Sequence, residues 1–299
     1  MLTRRIGSLD VSVVGVGCNN FGWTIFTHFL DEAATAKVVH AALDAGVNFF
    51  DTAESYGDSE TLLGSALKGR RERAIIATKC SKGSPASITA SLDASLRRLN
   101  TDRIDLYQLH RPDPDVPVAE TVGALQELVR LGKVREIGCS NFSVDQLRVA
   151  DKAAGESPHF ASVQNELSLI NRAAAKDVVP ECERLSIAFL PFFPLANGLL
   201  TGKYRLGKAK PPDTRLASGP MSGRLTEAAL ATAERLAVYA ESRRHTLLEL
   251  AFAWLLASTA VASVIAGVTS VEQVRANATA AAWQLTPEER SAVSALVDA

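Results

Sequence analysis

Four groups able to hold or exchange protons sit at or just beyond the ends of three successive apolar runs. Asp51 closes Val47–Asp51, in the string Asn48-Phe-Phe-Asp51-Thr-Ala-Glu-Ser-Tyr56-Gly57, and Tyr56 follows in the loop. Lys79 closes Ala74–Lys79, and His110 closes Ile104–His110 ahead of Arg111-Pro112-Asp113. A phenol titrates near 10 in model peptides, too high for easy proton donation at neutral pH, and a neighbouring ammonium stabilises the phenolate and lowers that value. Lys79 beside Tyr56 is therefore expected to make the tyrosine a usable general acid. A buried lysine costs free energy unless paired, and Asp51 offers the pair. His110 can then orient a carbonyl oxygen by hydrogen bonding. Each residue alone has a plainer reading: helix cap, snorkelling lysine, rim packing, structural histidine. It is their joint order and spacing that point to proton transfer.

Such groups meet only if the runs that carry them are neighbouring strands of one sheet. The apolar runs are Val13–Gly17, Val47–Asp51, Ala74–Lys79, Ile104–His110, Val134–Cys139, Phe160–Asn165, Ile187–Phe193 and Val261–Ile265. Between them lie segments with apolar residues at helical spacing, such as Ile88, Leu92, Leu96 and Leu99, or Val122, Leu125, Leu128 and Val129. Ser143 with Gln146, and Thr286 with Glu289, fit capping boxes. Near-continuous apolar strands alternating with amphipathic helices mean a parallel sheet covered on both faces. Eight such units predict an α/β fold, a (β/α)8 TIM barrel, as one domain over residues 1–299. A hairpin of Arg4–Ile6 and Val11–Val13 is expected to precede it and plug the bottom. Two segments exceed ordinary loop length, the apolar Cys18–Asp31 and the Gly-, Pro- and cation-rich Leu195–Leu225. In a barrel both lie over the C-terminal face, where active sites are built.

Composition removes several functional classes. The 299 residues are 47% hydrophobic with a formal net charge of −1 and no basic stripe, which excludes the electrostatic footprint of a nucleic-acid binder. Arg4 and Arg5 are followed by no apolar leader core, and no apolar run reaches membrane-spanning length. Cys18, Cys80, Cys139 and Cys182 are scattered, with no C-x-x-C pair, which speaks against a disulfide framework or structural zinc. The expectation is a cytoplasmic protein with reduced thiols and no metal. Three of the cysteines fall near strand ends, where they are either small filler or a redox-sensitive site.

A nucleotide site of Rossmann type is excluded. Gly15-Val-Gly17-Cys-Asn-Asn20 begins like the dinucleotide fingerprint, but the third glycine is missing and no helix opens on time. It is better read as a barrel strand ending in a glycine turn.

These motifs together resemble the aldo-keto reductase superfamily, most closely the bacterial branch related to potassium-channel β-subunits. The similarity is carried by Phe50-Asp51-Thr-Ala-Glu-Ser-Tyr56-Gly57, Thr78-Lys79 and Leu109-His110, then by Ile137-Gly-Cys-Ser140-Asn141-Phe and Val163-Gln164-Asn165-Glu. It continues through Pro194-Leu-Ala-Asn-Gly-Leu-Leu-Thr-Gly-Lys203-Tyr and Ile265-Ala-Gly267-Val-Thr269-Ser-Val-Glu-Gln273-Val-Arg-Ala-Asn277. The resemblance implies a nicotinamide cofactor lying across the barrel rim, with Asp51, Tyr56, Lys79 and His110 as catalytic tetrad. It implies that Ser140, Asn141 and Gln164 hold the carboxamide and that Phe192 stacks on the nicotinamide, with Phe193, Gly17, Cys18 and Asp51 lining the same site. Pro194, Leu195, Gly198 and Lys203 would follow the pyrophosphate, Arg215 the adenosine end, and Gly267, Thr269, Gln273 and Asn277 the adenosine itself. Phe192 replaces the family's usual Tyr or Trp, keeping stacking but losing a polar handle. Ala276 replaces a common adenine-contacting acid, and Gly267 and Gln273 stand where other members place Lys and Arg. A preference for NADPH/NADP+ over NADH then rests on Lys203, Arg215 and Arg275.

The activity so implied is reduction of a carbonyl to an alcohol, or the reverse as a sugar or alcohol dehydrogenase. A lyase using Lys79 as a Schiff base and a nicotinamide-sensing regulatory subunit are the readings outside that class; the paired lysine argues against the first and the intact tetrad against the second. The expected partner is a small carbonyl or alcohol, bound by Trp23, Tyr56 and His110; whether the chain acts as monomer or homo-oligomer stays open. Phe21, Trp23, Ile25, Phe26, His28 and Phe29 either form an aromatic substrate wall or pack on one another or on a second subunit.

Overall fold

A computed structural model of the chain describes residues 1–23, 29–212, 214–217 and 221–298. Two short antiparallel strands, β1 (Thr3–Ile6) and β2 (Leu9–Ser12), pair with Ile6 opposite Leu9. The turn between them fits only because Gly7, at φ +54°, has no side chain: a Cβ there would stand 2.4 Å from the Glu136 carboxyl carbon. That carboxylate accepts from the Ser8 amide at 2.6 Å and so ties the hairpin to the barrel. Ile6, Leu9 and Val11 are completely buried and share one apolar cluster with Phe49, Ala77, Leu106, Leu190 and Ile265. The hairpin is the predicted plug.

Eight parallel strands follow: β3 (Val14–Gly17), β4 (Phe49–Asp51), β5 (Ile75–Cys80), β6 (Ile104–Leu109), β7 (Val134–Ser140), β8 (Ser162–Glu166), β9 (Ala188–Phe192) and β10 (Val264–Gly267). Hydrogen bonding runs in the order β10-β3-β4-β5-β6-β7-β8-β9. A lone parallel bridge, Phe189 to Val261, brings the two edges together and nearly closes the barrel. It also explains why the last strand starts three residues later than the apolar run suggests: Val261 and Ala262 spend their length on the bridge to β9, and the ladder to β3 begins only at Val264.

Side chains alternate between two compartments, as the two-residue period of a strand requires. Leu106 lies in the inner cluster, while Tyr107 and Leu109 belong to the outer one, between strands and helices. The outer layer is built by α1 (Glu32–Asp44), α2 (Ser59–Ala66), α3 (Pro85–Leu99), α4 (Val118–Arg130), α5 (Val144–Ala154), α6 (Ala173–Lys176), α7 (Val178–Leu185), α8 (Glu227–Ser242), α9 (Leu247–Leu256), α10 (Val271–Ala280) and α11 (Pro287–Asp298). Helix α3 starts with Pro85 behind a Ser84 cap and stops at Asn100 in the left-handed conformation, satisfying its end groups locally. Both predicted capping boxes form, Ser143 with Gln146 and Thr286 with Glu289. Among the described residues no helix is long and apolar enough to cross a membrane.

The long segment after β9 is anchored at several points. Arg224 pairs with Glu166 at 2.9 Å and lies over the Phe193 ring at 5.5 Å. Arg205 pairs with Glu234 and Glu241 of α8, and the Tyr204 hydroxyl accepts from the Leu216 amide.

Candidate active site

The ends of β4, β5 and β6 bring their ionisable residues to one mouth of the barrel. Register places Asp51 beside Ala77 and Lys79 beside Gln108, so all three strands deliver inward-facing side chains at neighbouring heights. Lys79 is completely buried, and Asp51 only 4% exposed. The ammonium donates to both Asp51 carboxylate oxygens at 2.8 Å and to the Thr52 carbonyl at 2.8 Å. Its three donors are therefore all used. Gln164 of β8 adds a fourth bond to the pair, its Nε2 donating to Asp51 Oδ1 at 2.8 Å.

Above this pair lies the Tyr56 ring, 5.3 Å from the lysine nitrogen. Trp23 stacks on one side of it, at 5.1 Å and 19° between planes. His110 meets it edge-on at 5.6 Å and 79°. The histidine is fixed through its backbone: its amide donates to the Cys80 carbonyl at 2.8 Å, and its carbonyl accepts from Asn141 Nδ2 at 3.0 Å. Its Nδ1 lies 3.4 Å from Ser55 Oγ.

Electrostatics divide the roles. Burial alone would lower the Lys79 pKa, but Asp51, then Tyr56, outweigh it, and the ammonium is held above its ordinary value. Lys79 is therefore a fixed charge, which suits a nucleophile poorly. His110 is pushed down to about 3 by burial and by the nearby charges of Lys79 and Arg111, so its imidazole is neutral at physiological pH. Tyr56 corrects the sequence expectation. Lys79 does lower its pKa, but burial, the largest influence, and Asp51 raise it more, and the phenol ends above its ordinary value. The phenol is thus held protonated in the free protein, and Lys79 reduces the cost of losing that proton without making it spontaneous.

Several partners of the cluster carried no chemical signal in the sequence. Thr52 and Ser59 share a 2.8 Å hydroxyl contact, and Ser59 donates to the Cys18 carbonyl. Glu60, 1% exposed, accepts from Thr78 Oγ1 and from Arg98 Nε, each at 2.6 Å, and so ties α2 to β5 and α3 directly beside Lys79. An acid on the buried face of α2 was the only available clue.

The remaining rim positions divide into two sets. Ser140, Asn141 and Gln164 join the cluster just described: Ser140 Oγ donates to the Gln164 carbonyl at 2.8 Å, and Asn141, at φ +62°, donates to Ser140 Oγ at 3.0 Å. Phe192 ends β9 and meets Phe193 edge-on at 5.3 Å, and Pro194 and Leu195 lead into a tight turn. In that turn Gly198, at φ +99°, leaves room for the Lys203 ammonium, which a Cβ would approach to 3.1 Å. Burial, then the charge of Arg215, lowers the Lys203 pKa. Arg215 donates to Asn20 Oδ1 at 2.7 Å, and Asn20 Nδ2 donates to the Val268 carbonyl. Gly17 and Gly267 face each other, a Cβ on Gly17 falling 3.4 Å from the Gly267 nitrogen. Gln273 turns back on its own helix and accepts from the Thr269 amide at 2.8 Å. Asn277 and Cys18 are buried, and the Cys18 amide is bonded to the Asp51 carbonyl.

Asn197, in the turn with Gly198, is 6% exposed with neither amide atom partnered among the described residues. A buried unsatisfied amide is costly and marks a place where a polar ligand fits. With the Lys203 and Arg215 cations, a glycine-faced strand end and an aromatic ring at the end of β9, these residues suit a phosphate-bearing dinucleotide.

The aromatic wall is smaller than the sequence suggests. Phe21 is completely buried in the outer core and bridges to Leu30, so it faces helices rather than the mouth. Phe29 is half exposed, and Ile25, Phe26 and His28 lie outside the described residues. Among the described residues of this loop, Trp23 is the one that stacks on Tyr56. The cysteines are also settled: all four are buried and burial raises every thiol pKa, to about 12 for Cys80 and Cys182. Redox-sensitive thiols need thiolate character and access, and these have neither.

Comparison with known proteins agrees with this geometry. Residues 13–298 match the model of the Aldo/keto reductase family. An oxidoreductase of Mycobacterium tuberculosis is 36% identical over 296 residues, spanning 95% of this chain and 89% of the relative. An aldo-keto reductase of Bacillus subtilis is 37% identical over 65% of this chain and 62% of its own length. The solved structure of a glycerol dehydrogenase from Gluconobacter oxydans superposes with a TM-score of 0.86 at 31% identity, covering 99% of this chain and 94% of that one. With a nearly closed eight-stranded parallel barrel and a family match running almost end to end, the chain is an oxidoreductase belonging to the aldo/keto reductase family.

Proposed function

We propose that this protein reduces an aldehyde or ketone to an alcohol with NADPH, Tyr56 acting as general acid. The observation that carries the reading is the buried Lys79–Asp51 pair lying under the Tyr56 ring with a neutral imidazole beside it. A bound reduced nicotinamide supplies a hydride to the carbonyl carbon. The chain supplies the rest. Neutral His110 has one ring N–H to donate, which orients the carbonyl oxygen toward Tyr56. The phenol passes its proton to that oxygen as negative charge develops there. Lys79 stabilises the phenolate left behind, and Asp51 with Gln164 keeps the ammonium charged and in place. Trp23, stacked on Tyr56, limits the orientations open to the carbonyl substrate. Ser140 and Asn141 would hold the carboxamide, and Phe192 would stack on the nicotinamide. Lys203 and Arg215 supply the cations that favour a 2′-phosphate, and hence NADPH.

The test is absorbance-followed cofactor oxidation with a panel of aldehydes, ketones and sugars, using NADPH and NADH in parallel. Turnover is expected with aldehydes and faster with NADPH. Tyr56→Phe is expected to lower it by about 10²–10⁴-fold while NADPH still binds; undiminished turnover in that variant would remove Tyr56 from its role. The glycerol dehydrogenase likeness favours a second reading, alcohol oxidation through the same groups run backwards. Initial rates in both directions with each cofactor separate the two.

A further inference from the structure

Tyr56 stands in a loop and Lys79 on a strand, yet an ammonium steadies a phenolate only while the two are held close. The hydrogen bonds that hold them converge on Ser59, the first residue of α2, which is completely buried. Its amide donates to the Tyr56 carbonyl at 3.1 Å and closes the turn that carries the phenol. Its hydroxyl reaches the other way. Ser59 Oγ donates to the Cys18 carbonyl at 2.8 Å and lies 2.8 Å from Thr52 Oγ1. A hydroxyl has one hydrogen, and that of Ser59 is spent on Cys18, so Thr52 is the donor between the two hydroxyls. The chain of bonds therefore runs from Thr52, just past β4, through Ser59 to Cys18, just past β3.

Thr52 is completely buried too, and its amide donates to the Ala77 carbonyl at 2.8 Å. Held at both amide and hydroxyl, it presents its carbonyl as the third acceptor of the Lys79 ammonium, at 2.8 Å. Anchoring of α2 to the barrel accounts for the bond to Cys18, but it requires neither the bond from Thr52 nor the bond to Tyr56. We propose that Ser59 is a positioning residue for the acid step, holding the Lys79 ammonium under the Tyr56 ring through Thr52 on one side and the Tyr56 carbonyl on the other. This rests on the carbonyl-reductase reading and adds a residue that acts through two groups of that same site.

The test follows a single turnover: protein loaded with NADPH is mixed with excess benzaldehyde and the loss of NADPH absorbance is timed. Two substitutions cut the chain at different points. Ser59→Ala removes the relay, and Thr52→Val removes the donor with almost no change of shape. Each is expected to slow the turnover about tenfold, with the Kd of NADPH within roughly twofold of wild type. A less well stabilised phenolate makes proton transfer the slower part of the step, so the ratio of rates in light and heavy water should rise. Thr52→Ser keeps the hydroxyl and should restore both rate and ratio. Should Ser59→Ala fold poorly, because it leaves the Thr52 hydroxyl buried without an acceptor, Thr52→Val reads the same chain. Unslowed turnover in the folded variants, a slower rate with an unmoved ratio, or no rescue by Thr52→Ser overturns the role of Ser59 and leaves the reductase reading standing. A wild-type protein that oxidises no NADPH on mixing with benzaldehyde overturns both.

Discussion

The two sides of the barrel mouth are built on opposite principles. On the side of β4, β5 and β6, charge is satisfied inside the protein: Lys79 has three acceptors, Asp51 three donor contacts, and His110 a clamped backbone. On the side of β9 and the long segment after it, the charge of Arg215 helps lower the Lys203 pKa, and Asn197 is buried with its amide unmet among the described residues. The first side is finished before any ligand arrives; on the second, the buried Asn197 amide has hydrogen bonds still to be made among the described residues. Groups that act on a reacting centre gain from being fixed in advance, because no reorganisation is then needed as charge develops. Groups that hold an anion gain from keeping their hydrogen bonds for it.

The largest effect that would break this contrast is on stability. Asp51→Asn leaves a completely buried ammonium without its counter-charge, and loss of one member of a buried pair costs roughly 3–5 kcal/mol. Denaturant unfolding should show that loss together with near-complete loss of turnover. Lys203→Ala, in the same assay, should cost no more than about 1 kcal/mol, since it removes only a contact over the Tyr204 ring. Comparable losses for both variants would erase the distinction between the two sides.

The next effect is a dependence on pH. Folding holds the His110 pKa at about 3, below its ordinary 6.5, so between these values the unfolded chain binds a proton that the folded one does not. Stability from this residue is complete above pH 6.5 and falls progressively as pH drops toward 3. Relative to His110→Gln, the wild-type protein should lose ~1–3 kcal/mol between pH 7 and pH 4, after allowance for the partial exposure of the ring. Parallel pH profiles for the two proteins would show that the imidazole is not held neutral.

On the binding side the effect is one of preference. Lys203→Ala is expected to raise the KM for NADPH about tenfold more than that for NADH, the size of one lost charge-assisted contact to a phosphate. An equal rise for both cofactors would place Lys203 on a phosphate that they share.

The contrast also explains what could be read from the residues. The eight strands and their order were legible because near-continuous apolar runs and helical spacings alternate without interruption. The meeting of Asp51, Tyr56, Lys79 and His110 was legible because three of them lie at or beside strand ends and Tyr56 in the loop after one, and parallel register brings strand ends together. Thr52 and Gln164 as partners of the buried pair, and Ser59 and Glu60 as partners of Thr52 and Thr78 beside it, were not, since such hydrogen bonds depend on side-chain direction rather than spacing. The direction of the Tyr56 shift was missed for a related reason: a neighbouring charge can be guessed from sequence, but the depth of burial that opposes it cannot. Phe21 shows the same limit, because aromatic content says nothing about which side of the sheet a loop residue faces.

The smallest effect concerns Gln273, which family resemblance assigns to the adenosine. Here its side chain accepts from the Thr269 amide at 2.8 Å and lies 3.3 Å from the Thr269 hydroxyl, while the Ser270 side chain accepts from the Gln273 amide. Those bonds satisfy donors at the start of α10, the work of a capping side chain. A glutamine so occupied cannot reach outward with the same oxygen. Gln273→Ala should therefore lower stability by about 0.5–1 kcal/mol while leaving the NADPH KM within roughly threefold. Gln273→Arg, by contrast, gives up the cap but adds a cation at the start of α10, and it should strengthen NADPH more than NADH. If alanine alone weakened NADPH tenfold with no loss of stability, the glutamine would belong to the cofactor side of the mouth, and its bond to Thr269 would be a resting contact that the ligand replaces.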